Sequence, residues 1–208
     1  VVADLGAWRL GQPLPPSLRI TGHTVHHYDG VEFAGMDAGV TGTHGALVRS
    51  EALVLLDSVL DDAYGSRRPD YLGGGASLPI GTPAISAAGL GYRREAASAS
   101  GYHDGFYADT VRVRLDVQTG APRPRGLITA REDALGARSI VEHDVFAWLT
   151  VRVTDPLGLV TEAVQDYRVV QPSRVVDANG NATRVQYDGL GQPTLVIREG
   201  RNGEGGTT

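Results

Sequence analysis

Three histidines near the start of the chain, His23, His26 and His27, are the residues best suited to metal chemistry. Imidazole nitrogens bind divalent ions, so their spacing raises the question of a metal site. On a β-strand, however, His23 and His27 share one face about 13 Å apart, while His26 points to the other face. No HExxH helix is present either. We therefore expect no metal site here, and we expect the histidines to face solvent or a surrounding structure.

Acidic residues recur along the second half of the chain, where paired carboxylates would suit acid–base catalysis. They are Asp133, Asp144, Asp155, Asp166, Asp177 and Asp188. Each stands in a turn-like context, so we expect them to build turns instead of catalysing a reaction. The segment from Asp177 to Asn181 begins like a calcium loop, but its glycine is fourth instead of sixth and no glutamate is twelfth.

Two serines and a run of glycines are the remaining candidates for a catalytic nucleophile and for a phosphate-binding loop. Neither Ser77 nor Ser86 lies in the GxSxG turn that presents a hydrolase nucleophile. The run of glycines at 73–75 lacks the GK[ST] ending of a phosphate-binding loop. No nucleophile, base and orienting group stand at an interpretable spacing. We therefore predict a protein that is not an enzyme and that holds no cofactor.

The composition of the 208 residues excludes several further classes of protein. The absence of cysteine excludes disulfides, thiol catalysis and cysteine-bound metals. The 24 acidic residues outnumber the 19 basic ones, which are all arginine, and the net charge is −5. No basic run is visible, so we predict no binding to nucleic acid. No stretch of about 18 apolar residues occurs, so we predict no direct insertion into a membrane.

The recurring aspartates belong to an internal repeat with a spacing of 22 residues. Its three copies begin at Asp133, Asp155 and Asp177, and they read DALGARSIVEHD, DPLGLVTEAVQD and DANGNATRVQYD. A glycine and a second aspartate recur at the same spacing, at Gly136, Gly158 and Gly180 and at Asp144, Asp166 and Asp188. Three landmarks that keep one spacing without any insertion identify a tandem array.

Each unit of the array has the pattern of two antiparallel strands. The Asp-x-x-Gly segment suits a tight turn, because the aspartate binds nearby backbone N–H groups and the glycine accepts a positive φ. The second aspartate marks the opposite turn. About eight residues rich in Val, Ile, Thr, Leu and Arg separate the turns, enough for a strand of about 26 Å. Pro172 and Pro193 are expected near strand ends or bulges.

The first half of the chain is predicted to be β-rich with one helix. We expect strands over 21–28 and over the alternating segment 111–117, whereas 47–56 is either strand or mixed. Residues 57–64 (DSVLDDAY) fit a short helix that is capped by Asp57 and ended by the following glycine.

The chain is therefore predicted to have three parts. A β-rich region over 1–120 precedes the repeat array over 121–199, and a flexible tail follows over 200–208. A stretch rich in Gly, Pro, Ala and Ser, 65–105, is expected to be a long surface loop inserted in the first part. Three repeats leave open strand edges, and the chain opens on Val1, so we expect it to be a piece of a larger protein.

The last repeat resembles the RHS/YD-repeat family. Residues 177–197, DANGNATRVQYDGLGQPTLVI, contain the DxxGN-type turn, a strand, the Tyr-Asp pair and a second glycine-containing turn of that family. The pair is Tyr187-Asp188 here. His143-Asp144 and Gln165-Asp166 take its place in the earlier copies, which are therefore degenerate.

Longer segments are similar to one member of that family, the B component of bacterial insecticidal toxin complexes (Tc toxins). These segments are 26–65, 101–116 and 155–181, and with the repeats they cover roughly residues 20–197. The resemblance implies that 1–120 is the pre-repeat region of such a component. It also implies a mainly β fold, in which the antiparallel repeat strip forms part of a larger β-cocoon shell.

The resemblance further implies a function. B components join a C component to enclose an unfolded cytotoxic segment, which is passed to a pore-forming A component. Partners would thus be a C-component-like RHS protein that carries the effector and an A component, in a secreted bacterial toxin complex. Propeller repeats and a self-cleavage motif are not found in this sequence. The chain is therefore expected to form part of the shell wall and to have a structural role there.

A second hypothesis is a cell-surface or adhesin-like RHS module that binds glycans or another cell. Several aromatic residues would suit such a surface: Tyr28, Phe33, Tyr102, Phe106, Tyr107, Trp148 and Tyr187. Rings of this kind more often pack in a core or across strands. The cargo, the host target, the secretion route and the orientation of 65–105 cannot be read from the sequence.

Overall fold

The structure is a computed structural model that describes residues 20, 22–73, 88–97, 101–201 and 205–207. The chain divides into two compact units, one comprising Val1–Arg112 with Asp133–Gly136 and the other comprising Val113–Glu132 with Ala137–Thr208. All strand pairings of the described residues are antiparallel. A single short α-helix occurs in these ranges. The predicted fold class, mainly β and antiparallel with one short helix, is confirmed.

The first unit contains four described strands and the helix. They are β1 (Thr24–Tyr28), β2 (Leu47–Leu56), α1 (Asp57–Tyr64), β3 (Tyr92–Glu95) and β4 (Gly105–Leu115), whose last three residues belong to the second unit. β2 lies between β1 and β4, and β3 pairs with the other edge of β4. The segment 47–56, which the sequence left open, is therefore strand throughout.

Two apolar clusters are buried among the described residues of the first unit. One contains Val25, Tyr102 and Tyr107, and the other contains Leu60, Leu72 and Phe106. Because neighbouring residues of a strand point to opposite faces, β4 contributes Phe106 to one cluster and Tyr107 to the other. Both rings are 1% exposed, and burying a side chain of this size contributes about 2 kcal/mol or more. These aromatic residues are core and not binding surface.

Helix α1 has the predicted bounds but not the predicted cap. Leu56 occupies the N-cap position, and no side-chain cap hydrogen bond forms. The carboxylate of Asp57 binds two guanidinium groups instead, those of Arg68 and Arg94. The prediction of an Asp57 cap was wrong because ion pairs from later in the chain compete for the same oxygens. Gly65 ends the helix at φ +52° and donates its N–H to the carbonyl of Asp61.

The stretch 65–105 contains regular structure in its described parts. Three short 3-10 turns occur at Gly65–Arg67, Asp70–Leu72 and Ala88–Leu90, and β3 follows. The sequence of β3, YRRE, shows no strand alternation, and its extended form depends on pairing with β4. Residues 74–87 and 98–100, with Ser77, Ser86 and two of the three run glycines, lie outside the described residues.

The second unit contains the repeat strands, each paired with its neighbours in chain order. They are β5 (Ile128–Glu132), β6 (Arg138–His143), β7 (Thr150–Thr154), β8 (Val160–Asp166), β9 (Gln171–Val176), β10 (Ala182–Tyr187), β11 (Pro193–Glu199) and β12 (Gly205–Thr207). β5 also pairs with the end of β4. Strands β5 to β11 have five to seven residues, fewer than the eight expected, because each turn holds its flanking residues out of the ladder.

A β-bulge recurs in the array with the repeat spacing. The register shifts after Glu142, after Val164 and after Gln186, which are 22 residues apart. Pro172 and Pro193 pair at two of these shifts, opposite Gln165 and Tyr187, where a missing N–H disturbs the ladder least. The repeat thus fixes strand irregularities as well as turns.

The tail differs from the prediction where it is described. Gly205–Thr207 form β12, which pairs with β11, although 200–208 was expected to be flexible. The edge of β11 offers unpaired backbone groups, and three small or β-branched residues suffice to continue the ladder. Among the described helices, none has the length and apolar character needed to cross a membrane.

Candidate functional site

The turns that open each repeat hold their glycines in the left-handed region. The φ angle is +83° at Gly136, +81° at Gly158 and +84° at Gly180. Each glycine N–H donates to the carbonyl of the aspartate three residues earlier, at 2.9–3.0 Å. A Cβ added to Gly136 or Gly158 would meet no atom within 4 Å. The backbone conformation alone is therefore the reason for glycine at these two positions.

The first aspartate of each repeat organises its turn through one carboxylate oxygen. Oδ1 of Asp155 accepts the N–H groups of Leu157 and Leu159, both at 2.8 Å. Oδ1 of Asp177 likewise accepts from Asn179 and Asn181, both at 2.9 Å. In the first repeat Leu135 donates to Asp133 at 2.9 Å. These oxygens are thus used inside the turns.

Asp177 has a side-chain donor, Asn181, at the position where the other repeats have Ala137 and Leu159. The side-chain amide of Asn181 donates to Oδ2 at 2.9 Å. This bond, with the backbone N–H groups, lowers the pKa of Asp177. The segment that resembled the start of a calcium loop is in the structure a hydrogen-bonded turn.

The second aspartates lie in turns of three different forms. Asp188 repeats the short form, with Oδ1 accepting from Leu190 and Gln192 and with Gly191 at φ +79°. Asp144 opens a longer turn, in which Oδ1 accepts the N–H of Trp148 at 2.8 Å. Asp166 ends β8, and its carbonyl accepts the N–H of Val170 at 2.9 Å.

Tyr187 makes a hydrogen bond whose equivalent is made by Gln165, the residue at the same position one repeat earlier. The hydroxyl of Tyr187 donates to the carbonyl of Pro172 at 2.9 Å. One repeat earlier, the side-chain amide of Gln165 donates to the carbonyl of Thr150 at 2.6 Å. Donor and acceptor are 15 residues apart in both cases. Glutamine can therefore replace the tyrosine because it too places a donor at this carbonyl.

A polar cluster surrounds Glu51, the most buried charged side chain among the described residues of the first unit. Glu51 is 1% exposed, and its carboxylate binds the guanidinium groups of Arg49 and Arg93. The hydroxyl of Tyr102 donates to Oε1 at 2.8 Å, and Nε2 of His27 lies 2.7 Å from the same oxygen. The cluster joins strands β1, β2 and β3 with Tyr102, which lies three residues before β4 begins.

The cluster keeps Glu51 ionised. Burial would raise the pKa of Glu51, but hydrogen bonds from Arg49 and Tyr102 and the charges of Arg49 and Arg93 outweigh it, lowering the pKa to about 2. Burial raises the pKa of the neighbouring Asp109 despite its ion pairs with Arg49 and Arg112. A carboxylate with a pKa near 2 is a poor general base at neutral pH. The cluster is suited to holding strands together.

The three histidines diverge as their strand positions predict. His26 is exposed and lies 3.1 Å from the hydroxyl of Ser50, whereas Nδ1 of His23 lies 2.8 Å from the hydroxyl of Tyr107. Burial and the nearby His103 lower the pKa of His23. His27 is buried, and its Nδ1 donates to the carbonyl of Met36 at 2.8 Å. The expectation that all three face outward was therefore wrong for His27.

The described ranges contain no cluster of side chains that could bind a metal ion. No group of three or more His, Asp or Glu side chains is placed there to hold an ion. The three predicted candidates illustrate why, since His23, His26 and His27 each bind a different neighbour.

Two buried aspartates that sequence reasoning missed each fasten a loop. Asp29 accepts the N–H groups of Gly45 and Ala46 at 2.8 and 3.1 Å. Burial opposes this charge, but the backbone donors prevail and lower the pKa of Asp29. Asp116 accepts the N–H groups of Arg125, Gly126 and Leu127 at 2.7–3.0 Å.

One sequence signal would have found Glu51. It is a lone carboxylate inside the strand-forming run LVRSEALVLL, where burial of the run leaves it no water. Asp29 and Asp116 carry no such signal, because their partners are backbone groups 9 to 17 residues away.

The second unit defines a class of architecture: a tandem β-repeat array in which every unit adds two antiparallel strands. No protein-family model matches the chain, and no curated protein matches it in sequence. Solved structures do match its fold. The Photorhabdus luminescens Tc holotoxin pore, with a mutation in its TccC3 component, contains a chain that matches 86% of this one with a TM-score of 0.65 and 21% identity.

Two further Tc structures match the same share of the chain. The complex TcdB2-TccC3-Cdc42 gives a TM-score of 0.64 with 21% identity, and TcdB2-TccC3 gives 0.61 with 18% identity. The match covers 8% of each of those chains, so this chain spans a small part of their length. The resemblance to Tc toxins that the sequence predicted is confirmed at the level of the fold.

Proposed function

We propose that the chain is a structural wall segment of an RHS/YD-repeat shell like the B component of Tc toxins. Its role is to enclose a cytotoxic effector for delivery into host cells, and it acts without catalysis. The observation that carries the proposal is the fold match to Tc complexes over 86% of the chain with a TM-score of 0.65. The 22-residue array is the part of the fold that can lengthen into a wall.

A charged stripe on the array supports this role. Glu142, Arg152 and Glu162 lie directly opposite one another on β6, β7 and β8. Their nitrogen–oxygen distances are 3.9 and 3.7 Å. Along the stripe itself an unfolded chain meets charged side chains, and on the same face of β8 Val164 is 57% exposed. Such a stripe suits the inside of a container that must release its content.

Within this proposal the chain acts together with other components. Its partners are a C-component-like RHS protein that carries the effector and a pore-forming A component. The complex is secreted and acts outside the bacterium that makes it. The chain itself neither enters a membrane nor binds nucleic acid in this scheme.

Protease protection tests the proposal. The reading frame that contains this chain is co-expressed with its effector-bearing partner, and the complex is treated with a broad protease. We expect the effector to be cleaved only after the shell is denatured. Gly158→Val, which forces a β-branched residue to φ +81°, should expose the effector, whereas Gly189→Ala should not. An effector that is cleaved equally fast in the native complex would contradict encapsulation.

The non-catalytic part of the proposal has its own test. The purified protein is screened against hydrolase and protease substrates. We expect no turnover above that of the Glu51→Gln variant. Turnover that Glu51→Gln abolishes while the fold is kept would contradict it.

A further inference from the structure

An open groove of about 720 Å³ lies in the second unit between the loop 119–127 and the turn 144–149. Its apolar lining comes mainly from Pro122, Leu127, Val141, Phe146 and Trp148. Phe146 is 57% exposed and Trp148 is 63% exposed. Large aromatic side chains that remain exposed beside a concave surface are typical of interaction sites.

Both walls of the groove are held in place by carboxylates. On one side the buried Asp116 fixes the loop by accepting three consecutive backbone N–H groups, those of Arg125, Gly126 and Leu127. On the other side Asp144 accepts the N–H of Trp148, and the hydroxyl of Tyr167 donates to Asp144 at 2.6 Å. Walls that are fixed before binding reduce the entropy lost when a ligand is bound.

The aromatic wall is further fixed by ring packing. Tyr167 meets Phe146 edge to face, with ring centroids 5.7 Å apart. The guanidinium of Arg125 lies 5.9 Å from the ring centroid of Trp148. The groove therefore presents an aromatic surface with a cation beside it.

Two arginines stand at the rim of the groove, although the whole chain carries −5. Arg123 and Arg125 are exposed at the rim, and neither has a carboxylate partner among the described residues. The two carboxylates in the lining have other neighbours: Asp116 accepts backbone N–H groups, and Glu142 lies 3.9 Å from the guanidinium of Arg152. Two guanidinium groups without counter-charge favour a ligand that brings a carboxylate, which they can bind in a bidentate manner.

We propose that this groove binds a peptide segment in which an aromatic side chain stands next to Asp or Glu. The ring would lie on Trp148 and Phe146, and the carboxylate would meet Arg123 and Arg125. The charge complementarity favours such a peptide over a neutral glycan, which would leave both guanidinium groups uncompensated. This inference does not depend on the role of the chain as a shell wall.

Fluorescence anisotropy with labelled pentapeptides tests the proposal on the 208-residue chain. The probe is Gly-Asp-Phe-Glu-Gly, and its controls are Gly-Lys-Phe-Lys-Gly and Gly-Asp-Gly-Glu-Gly. We expect saturable binding of the probe and at least about tenfold weaker binding of each control. Trp148→Ala and Arg125→Glu should each weaken probe binding by about tenfold, whereas Leu190→Ala and Arg198→Glu, at exposed sites elsewhere on the array, should not.

Four results would overturn it. They are the absence of saturable probe binding, equal binding of the lysine control, unchanged binding by both groove variants with intact circular dichroism, and self-association of the chain that Trp148→Ala abolishes. Saturable binding of an uncharged oligosaccharide that displaces the probe would assign the groove to glycans instead. Arg123→Glu provides a second charge variant if Arg125→Glu does not fold.

Discussion

At the scale of single residues, Glu51 shows how a buried charge is made favourable. A carboxylate that is 1% exposed is costly unless cations and hydrogen-bond donors surround it. Arg49 and Arg93 supply the charges, and Tyr102 supplies a donor. Because these partners come from β2, β3 and the segment before β4, the cluster can form only when the first unit is folded. Its stabilisation is therefore coupled to the tertiary structure.

Replacing Glu51 by Gln should destabilise the protein by about 3 kcal/mol at pH 7, since two guanidinium groups would lose their counter-charge. The folded pKa is lowered from 4.5 to about 2, so the stabilisation is complete above about pH 5 and is lost as the pH falls toward 2. Urea unfolding of both proteins between pH 2 and 8 measures this. The difference between them should shrink at the acid end.

Glu142→Gln is the matched control, because Glu142 is exposed and its ion pair with Arg152 is 3.9 Å long. We expect it to change stability by less than about 0.5 kcal/mol. A Glu51→Gln effect as small as the control, or one independent of pH, would contradict the role assigned to the cluster.

Substitution by alanine should change the stability of the protein in opposite directions at glycines with and without a positive φ. Gly158 lies at φ +81° and Gly189 does not have a positive φ, and a Cβ would meet no atom within 4 Å at either position. Gly158→Ala should therefore destabilise by about 1 kcal/mol through backbone strain alone. Gly189→Ala should be neutral or stabilise by up to about 1 kcal/mol, because it restricts the unfolded chain. Thermal denaturation of both variants measures this, and equal effects would contradict the turn geometry.

At the scale of elements, two turns of the array adopt a positive φ without glycine. Ala147 lies at φ +54° and Val170 at φ +57°, in the turns that follow Asp144 and Asp166. For a β-branched residue this region is strained, by about 1–2 kcal/mol. The degenerate repeats thus reverse the chain with turns of different form, and they carry strain that the last repeat, with Gly191, avoids.

Val170→Gly should therefore stabilise the protein by up to about 1 kcal/mol, despite the entropy that glycine adds to the unfolded chain. Val170 is 64% exposed, so little apolar burial is lost. Val145→Gly is the control, since Val145 is 90% exposed and is not at a positive φ. Chemical denaturation compares the two. A loss of stability with Val170→Gly equal to that of the control would show that the valine is not strained.

The elements that the sequence predicted best are those fixed by local chemistry. The turns at Asp155/Gly158 and Asp177/Gly180 depend on residues within five positions of one another, and so do the bounds of α1. The elements it missed depend on distant partners. Strand β3 forms only by pairing with β4, and the Glu51 cluster joins residues up to 75 positions apart. No local pattern encodes such pairings.

At the scale of the whole molecule, the second unit is built by repetition. The opening turns, the bulges and the side-chain bonds of Gln165 and Tyr187 recur with one spacing, so each added unit continues the same antiparallel ladder. Such an array has open edges unless further strands cover them. In a wall built from many such units, the edge strands of one unit pair with those of the next, in agreement with the proposed function.

The most direct test of the wall assignment is an electron cryomicroscopy map of the product of the reading frame that contains this chain, purified with its effector-bearing partner. We expect a hollow shell in which the strands β5 to β11 run within the wall. We also expect the stripe of Glu142, Arg152 and Glu162 to face the enclosed space. A map without a cavity, or one in which these strands lie outside the wall, would contradict the wall assignment.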